Sequence, residues 1–167
     1  MSAVGAAHRV TLVSAEDTYA LGMRLGGLLR AGDLVVLTGD LGAGKTTLTQ
    51  GIGAGLGARG PVTSPTFVIA RMHPSLVGGP ALVHVDAYRL GGALELDDLD
   101  LDTAVDESVT VVEWGHGVAE RLADAYLEIV LTAEADEVRT ATLTGFGDRG
   151  HRVLDALATE PTGRMGE

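Results

Sequence analysis

A glycine-rich run that ends in lysine and threonine carries the most definite chemistry in this chain. The run is GDLGAGKT, from Gly39 to Thr46, and it fits G-x-x-x-x-G-K-[ST] at every fixed position. Glycines let backbone N–H groups approach phosphate oxygens closely, and a following helix adds the partial positive charge of its N-terminus. Lys45, the only lysine in the chain, should reach the β- and γ-phosphates of a nucleotide, and the Thr46 hydroxyl should ligate Mg²⁺.

The segments on both sides of this loop have the character that such a site requires. Leu34 to Leu37 is a continuous apolar run, typical of a strand that is buried on both faces. A helix is predicted to begin at Lys45 and to direct Leu48 and Ile52 inward. Interior glycines cost about 1 kcal/mol each relative to alanine, so the helix should fray by Leu56 or pack closely against a neighbour. The helix contains three of them, Gly51, Gly53 and Gly55.

A second glycine-rich pattern, from Gly55 to Gly60, matches G-x-G-x-x-G. It follows a predicted helix rather than a strand, and Pro61 comes directly after it. A dinucleotide-binding turn requires the opposite order, with the strand before and the helix after the glycines. We therefore interpret this pattern as a glycine-rich helix terminus.

Two acidic residues stand at the ends of predicted apolar strands. Asp86 follows the strand Ala81 to Val85, and Glu113 follows the strand Val109 to Val112. Ligands bind at the carboxyl ends of strands in parallel sheets, so both carboxylates are candidates for a Mg²⁺ site beside Thr46. Asp86 could complete that site directly or through water, whereas Glu113 could ligate Mg²⁺ or deprotonate an attacking water. The sequence leaves these roles open.

Two further features lie near these candidates. The hydroxyl-rich bend from Thr63 to Phe67 contains Thr66 and could sense a γ-phosphate, as switch loops do. Taken by itself, the bend is more typical of a turn that leads into a strand from Thr66 to Met72. His84, two residues before Asp86, is expected to be a core residue or to support the site, since the five histidines show no metal-binding spacing.

The other predicted elements alternate between helix and strand. Arg9 to Val13 should form a short strand, and Ser14 should cap a helix that Gly32 ends. Further helices are predicted over 93–99, 118–125 and 152–157, and the strands Tyr126 to Leu131 and Val138 to Leu143 should form a hairpin. These elements predict an α/β protein with a mixed, mostly parallel sheet, flanking helices and a C-terminal β-hairpin.

The composition is that of a soluble globular chain. With 167 residues, 46% of them hydrophobic, we expect one domain over 1–158 and a disordered tail over 159–167. There is no apolar run of the about 20 residues that span a bilayer, no signal-peptide pattern and no cysteine, so we expect a cytoplasmic protein without membrane association. The net charge of −11 opposes strong direct binding to nucleic acid. The acidic run Glu95 to Glu107 indicates a solvated face or a docking surface for a basic partner.

Four motifs together resemble the bacterial TsaE ATPases. They are GDLGAGKTT at Gly39–Thr47, SPTF at Ser64–Phe67, HVDAYRL at His84–Leu90 and VEW at Val112–Trp114. The resemblance covers about residues 10–145 and implies a P-loop NTPase fold, with ATP/ADP and Mg²⁺ as cofactors and ATP hydrolysis that is weak without partners. It also implies a role in the biosynthesis of threonylcarbamoyladenosine at position 37 of tRNA, in a complex with the TsaD and TsaB proteins.

The resemblance also implies roles for individual residues. Thr46 and Glu113 would ligate Mg²⁺, and Asp86 would be the Walker-B-type acid. Thr66 would be a switch residue, and the segment Ala15–Thr18 lies where the family contacts the base side of the nucleotide, although no motif marks it. The nucleotide phosphates would be held by Leu41, Gly42, Ala43, Gly44, Lys45, Thr46 and Thr47.

A small-molecule or nucleoside kinase of the P-loop type is the alternative to a partner-controlled ATPase. Such kinases need clustered arginines and usually a mobile lid, but Arg71 and Arg89 are the only candidates near the predicted site. A nucleotide-gated scaffold with slow hydrolysis overlaps with the family expectation. The common guanine-specific GTPase is excluded, because its N-K-x-D motif needs an asparagine and a second lysine, and the chain has neither.

Overall fold

A computed structural model describes residues 7–39, 44–58, 70–86, 107–113, 124–135 and 138–159. The strands in these ranges are β1 (His8–Leu12), β2 (Leu34–Gly39), β3 (Ala70–His73), β4 (Ala81–Asp86), β5 (Ser108–Glu113), β6 (Tyr126–Ala133) and β7 (Arg139–Phe146). The helices are α1 (Ala15–Leu28), α2 (Lys45–Leu56) and α3 (Gly147–Thr159). Within the described ranges, no helix is long and apolar enough to cross a membrane.

The described strands form one sheet in the order β1-β7-β6-β2-β5-β4-β3. Its centre is parallel, because β2 pairs with β5 and β6, and β4 pairs with β5, in the same direction. The outer pairs β1–β7, β6–β7 and β3–β4 are antiparallel. The predicted α/β class, mixed sheet and C-terminal hairpin are confirmed, but "mostly parallel" is wrong for these strands, whose pairings divide equally. The chain reverses directly from β3 to β4 and from β6 to β7, and short reversals produce antiparallel pairs.

The main core lies between one face of the sheet and the three described helices. Val35 and Leu37 of β2 and Val111 of β5 belong to this core, together with leucines of all three helices. The opposite face of β2 is also buried, at Leu34 and Val36. Because β2 lies in the middle of the sheet, the prediction of a strand that is buried on both faces is confirmed.

Helix α1 begins as the sequence predicts but ends earlier. The Ser14 hydroxyl accepts a hydrogen bond from the N–H of Asp17 at 3.2 Å, and the Asp17 carboxylate accepts one from the N–H of Val13 at 3.1 Å. The helix ends at Leu28, whereas Gly32 had been predicted to end it. Leu29 is buried although its backbone is extended, so the leucine spacing continues beyond the helix and overstates its length.

Helix α2 has the predicted bounds and two glycine ends. Gly44 at its N-cap has φ 105°, and Gly57 at its C-cap has φ 74°. Both values lie in the left-handed region, which favours glycine over residues with a Cβ. Gly57 donates its N–H to the last turn of the helix, so the interpretation of the second glycine-rich pattern as a helix terminus is confirmed for its described residues.

Glycines on α1 and α2 let the two helices touch through their backbones. A Cβ on Gly22 would lie 2.9 Å from the Cα of Gly51, and a Cβ on Gly26 would lie 3.0 Å from the Cα of Gly55. Real Cβ atoms essentially never lie closer than 3.0 Å to such an atom. The prediction that the glycine-rich helix packs closely against a neighbour is confirmed, and α1 is that neighbour.

Several element boundaries differ from those predicted. Helix α3 was predicted over 152–157 but begins at Gly147, which has φ 76° and turns the chain directly out of β7, and it continues through Thr159. Asp124 and Ala125 are not helical, since the chain already turns into β6 there. Of the strand predicted from Thr66, only Ala70–Met72 is described, and β3 extends to His73. The rest of these two segments, the helix predicted over 93–99 and residues 160–167 lie outside the described residues.

Arg149 ties the start of α3 to the start of β2. Its guanidinium donates from Nε to one carboxylate oxygen of Asp33 at 2.9 Å and from Nη2 to the other at 2.8 Å. The same Nη2 donates to the carbonyl oxygen of Leu28 at 2.9 Å. The hydrogen bond to Asp33 raises the pKa of Arg149. A raised folded-state pKa adds stability that is lost only when pH rises through that value, far above neutral, so the charge of Arg149 is constant at physiological pH.

Replacing Arg149 by alanine should therefore destabilise the protein by about 2 kcal/mol, because the buried Asp33 carboxylate loses its charged donors. Arg149→Lys should recover part of this loss, since an ammonium cannot bind both carboxylate oxygens as a planar fork does. Urea unfolding measures both effects, and Arg152→Ala, which removes the same charge from an exposed position of α3, is the control. Equal stabilities of the Arg149 and Arg152 variants would show that the ion pair contributes nothing.

Candidate functional site

Three neighbouring strands end at one edge of the sheet, next to the start of α2. The backbone register places Leu37 of β2 opposite Glu113 of β5, and Asp86 of β4 opposite the same Glu113. Strand β2 continues to Gly39, and α2 begins at Lys45. The fold therefore brings the β2–α2 connection, Asp86 and Glu113 to one edge, as expected for the carboxyl ends of parallel strands.

Lys45 lies at the first turn of α2 and folds back on the preceding strand. Its ammonium donates to the carbonyl oxygen of Gly39 at 2.5 Å, and the residue is only 8% exposed. A buried ammonium is unfavourable without such a partner. The charge is thereby positioned at a helix N-terminus, where unpaired N–H groups already favour anions. This end of α2 is suited to hold a phosphate.

The first turn of α1 lies beside the end of the glycine-rich loop. A Cβ on Gly44 would lie 3.7 Å from the methyl group of Thr18, a buried residue one turn into α1. Ala15 is exposed at the start of the same helix. No local pattern predicts the proximity of α1 to Gly44, because the two segments are separated by β2 and a turn, and only the family resemblance implied it.

Glu113 is held by a side chain from the adjacent strand. Its Oε2 lies 2.5 Å from Nε2 of His84. The Glu113 side chain is 9% exposed and that of His84 is fully buried. The sequence indicated a supporting role for His84 only through its position two residues before Asp86, and the structure identifies its partner. The carboxylate is thus nearly buried but fixed at the edge where the strands end.

The remaining predicted residues are described only in part. Thr46 and Thr47 are half-buried in the first turn of α2, and only the backbone of Asp86 is described. The described residues hold no cluster of three or more histidine, aspartate or glutamate groups that could bind a metal by themselves. A cation at this edge would therefore need ligands beyond those groups, as in nucleotide sites where phosphate and threonine oxygens contribute. Outside the described residues lie Leu41, Gly42, Ala43 and Thr66.

The arrangement combines groups that suit a phosphate and a divalent cation. Lys45 and the N-terminus of α2 present positive charge, and Glu113 on β5, the strand that pairs with β2, presents a fixed carboxylate. Comparison with known proteins agrees with the motifs, since a family model described as "Threonylcarbamoyl adenosine biosynthesis protein TsaE" matches residues 12–141. The chain belongs to the TsaE family.

Relatives of this TsaE-family chain come from several bacteria. A protein of Streptomyces coelicolor named "tRNA threonylcarbamoyladenosine biosynthesis protein TsaE" is 63% identical over 134 residues, which cover 77% of this chain and 90% of the relative. A protein of the same name from Bacillus subtilis is 37% identical over 147 residues, covering 87% and 90%. Family members are thus named for the biosynthesis of threonylcarbamoyladenosine in tRNA.

A solved structure has the same fold along nearly the whole chain. The crystal structure of YdiB from Bacillus subtilis matches with a TM-score of 0.77 and 32% sequence identity. The match covers 95% of this chain and 97% of that one. The TsaE-family fold of this chain is therefore shared with a solved protein and includes both the sheet and the helices that border the candidate site.

Proposed function

We propose that this TsaE-family protein is a Mg²⁺-dependent ATPase with a P-loop NTPase fold that serves threonylcarbamoyladenosine modification of tRNA. One observation carries the proposal. Lys45 is buried at the N-terminus of α2 and bonded to the carboxyl end of β2, while Glu113 lies fixed on the adjacent strand β5. An ammonium that would bind phosphate and a carboxylate that would bind the metal thus lie at one edge of the sheet in a chain of the TsaE family, and this supports the proposal.

The nucleotide would lie along the N-terminus of α2. Lys45 would exchange its bond to the Gly39 carbonyl oxygen for one to the β- and γ-phosphates of ATP. Backbone N–H groups from Leu41 to Thr47 would hold the phosphates, because free N–H groups at a helix start favour anions. Ala15, exposed at the start of α1 and one turn before Thr18, the residue beside Gly44, would lie on the base side.

The donor set of this edge fits Mg²⁺, a cation that prefers carboxylate, hydroxyl and phosphate oxygens. Thr46, Glu113 and Asp86 would hold the ion, which when bound neutralises charge that develops on the phosphates. Glu113 fits this role because, among the described residues, its buried carboxylate is hydrogen-bonded by a histidine and contacts no lysine or arginine. Orientation of the attacking water belongs to Asp86 or to Glu113, and Thr66 would respond to the γ-phosphate.

We assign the control of turnover to protein partners, namely the TsaD and TsaB proteins, in the cytoplasm. The chain carries a net charge of −11, which opposes direct binding to the phosphates of tRNA. The modification would therefore be carried out on tRNA that is bound by partners, while this protein supplies ATP turnover. A kinase that phosphorylates a small molecule would instead turn over ATP in response to that molecule.

ATP hydrolysis by the protein alone should be slow and should rise when a TsaD–TsaB complex is added. In that assembly, Glu113→Gln should lower hydrolysis by about 100-fold or more, a loss typical of removing one group that stabilises transition-state charge. Asp124→Asn is the control, because it removes the same negative charge from an exposed residue just before β6, at the opposite end of the parallel strands from Glu113. Absence of stimulation by the partners would overturn the proposal of a partner-controlled ATPase. ATP turnover that rises with a small acceptor molecule would favour the kinase instead.

A further inference from the structure

His84 is a buried polar residue whose position on β4 directs it toward the candidate site. It has no exposed surface, and its Nε2 contacts Oε2 of Glu113 across the pair of parallel strands. The register places Val111 opposite His84 and places Asp86 opposite Glu113. The imidazole therefore reaches diagonally, from deeper in the sheet toward the edge where the strands end. The imidazole therefore contacts the Glu113 carboxylate from the buried interior of the sheet and not from the edge where the strands end.

The two ring nitrogens of His84 have different surroundings. Nε2 faces the Glu113 carboxylate at 2.5 Å, whereas Nδ1 is buried with no hydrogen-bond partner among the described residues. A carboxylate accepts hydrogen bonds, so Nε2 must carry the proton and donate it. A second proton on Nδ1 would leave a buried N–H unsatisfied. The hydrogen-bond network therefore assigns a proton to Nε2 and offers no acceptor for one on Nδ1 among the described residues.

An imidazole N–H donor has a specific advantage beside a carboxylate that binds a cation. It fixes the rotation of the glutamate side chain through one hydrogen bond, whereas a lysine or arginine there would bring a permanent positive charge that competes with the cation. Carboxylates that ligate metals are commonly oriented in this way by hydrogen bonds from neighbouring residues. The His84 contact engages Oε2, so Oε1 is the oxygen that a further ligand would meet.

We propose that His84 is a positioning residue, which holds the Glu113 carboxylate in the orientation that binds the divalent cation of the nucleotide complex. This inference rests on the proposed function, and it assigns to His84 no contact with nucleotide or metal. The other account of the contact is a purely structural tie between β4 and β5. Both accounts allow a loss of stability when His84 is replaced, so stability alone does not distinguish them, but cation affinity does.

Replacing His84 by glutamine or by asparagine tests the two ring nitrogens separately, because the two amide groups reach different positions. In His84→Gln the side-chain amide can reach the place of Nε2 and still donate to Glu113. In His84→Asn the shorter amide reaches only the place of Nδ1, so the donor is lost while a polar group stays. Mn²⁺, which replaces Mg²⁺ in such oxygen sites and is visible by electron paramagnetic resonance, would be titrated into each protein with ADP present. ADP affinity without divalent cation would be measured in parallel by calorimetry.

The positioning role predicts a selective effect on the cation. His84→Asn should weaken Mn²⁺ binding by about 10- to 100-fold, the usual effect of losing a residue that orients a metal ligand, while His84→Gln stays close to the unchanged protein. ADP affinity without the cation should be the same in all three proteins. Equal Mn²⁺ affinities in the Asn and Gln variants would overturn the positioning role and leave the ATPase proposal standing. If the unchanged protein binds no Mn²⁺ with ADP, the proposed function itself fails and the inference fails with it.

A measurement on the unchanged protein keeps the inference testable if the His84→Asn protein does not fold. Nitrogen-15 NMR of the histidine rings distinguishes a protonated from a bare ring nitrogen. For His84 we expect a proton on Nε2 both before and after ADP and Mg²⁺ are added, with a shift of the Nε2 signal when the cation binds its hydrogen-bonded partner. A proton on Nδ1 alone, or an Nε2 signal that does not respond to Mg²⁺, would overturn the assignment.

Discussion

Replacing Lys45 by alanine should lower partner-stimulated ATP hydrolysis by about 100-fold or more, the scale on which one charged donor to a developing transition-state charge acts. The buried ammonium at the start of α2 is held by the Gly39 carbonyl oxygen, so it is already in place to meet a phosphate. Loss of the ammonium removes the positive charge that would contact the reacting phosphates, while the backbone N–H groups of α2 remain. Steady-state hydrolysis with the partner complex, at saturating ATP, measures the effect on the chemical step.

Two controls separate this effect from changes in charge or folding. Arg152→Ala removes the same charge from an exposed position of α3, and its hydrolysis rate should be unchanged. Lys45→Arg keeps the charge but replaces a compact ammonium by a wide planar group, so it should not restore hydrolysis. Full hydrolysis, together with intact tRNA modification, by a folded Lys45→Ala protein would show that the assigned role of Lys45 is wrong.

Replacing Gly51 by alanine should destabilise the protein by about 2–3 kcal/mol, because the new methyl group has no space between α1 and α2. A Cβ at this position would overlap the carbonyl oxygen of Tyr19 and lie 3.0 Å from the Cα of Gly22. Both are backbone atoms, which cannot rotate away as a side chain can, so the helices would have to separate. This cost exceeds the about 1 kcal/mol that alanine gains over glycine in a helix. We expect a fall in melting temperature of roughly 4–12 °C.

Gly27→Ala is the matched control, since Gly27 is an exposed residue of α1 with no atom near its added Cβ. Its melting temperature should stay the same or rise slightly, because alanine favours a helix by up to about 1 kcal/mol. The displaced α2 should also weaken nucleotide binding in Gly51→Ala, since Lys45 opens that helix. Equal melting temperatures for the two variants would mean that the contact between the glycines does not limit packing.

The sequence predicted the elements that carry the site because each has a strong local signal. The apolar run at Leu34–Leu37 indicated a strand buried on both faces, and the glycine and lysine spacing fixed the start of α2 at Lys45. Ser14 and Asp17 formed the predicted cap, because a cap depends only on residues that are adjacent in the chain. Asp86 and Glu113 were placed at strand ends by the same kind of signal, and the register set them opposite each other.

Predictions were least accurate where tertiary contacts override local pattern. The leucine spacing of α1 continued to Leu29, which is buried from an extended backbone, so the helix was predicted too long. Helix α3 was predicted too short, because its start depends on Gly147 turning directly out of β7. The prediction that the sheet is mostly parallel was wrong for the described strands. Which strands pair depends on their order in the sheet, and the sequence of any one strand does not encode that order.

By itself, the sequence determined the family, the glycine-rich motif that ends at Lys45 and Thr46, and the strands that end in carboxylates, since all of these lie in short contiguous patterns. Only the tertiary structure decided that His84 holds Glu113, that Thr18 lies beside Gly44, and that glycines join α1 to α2. The physical reason is distance along the chain. Contacts between residues on separate strands and helices depend on register and on how closely two backbones approach. Neither the register nor the closeness of two backbones can be predicted from the local order of residues.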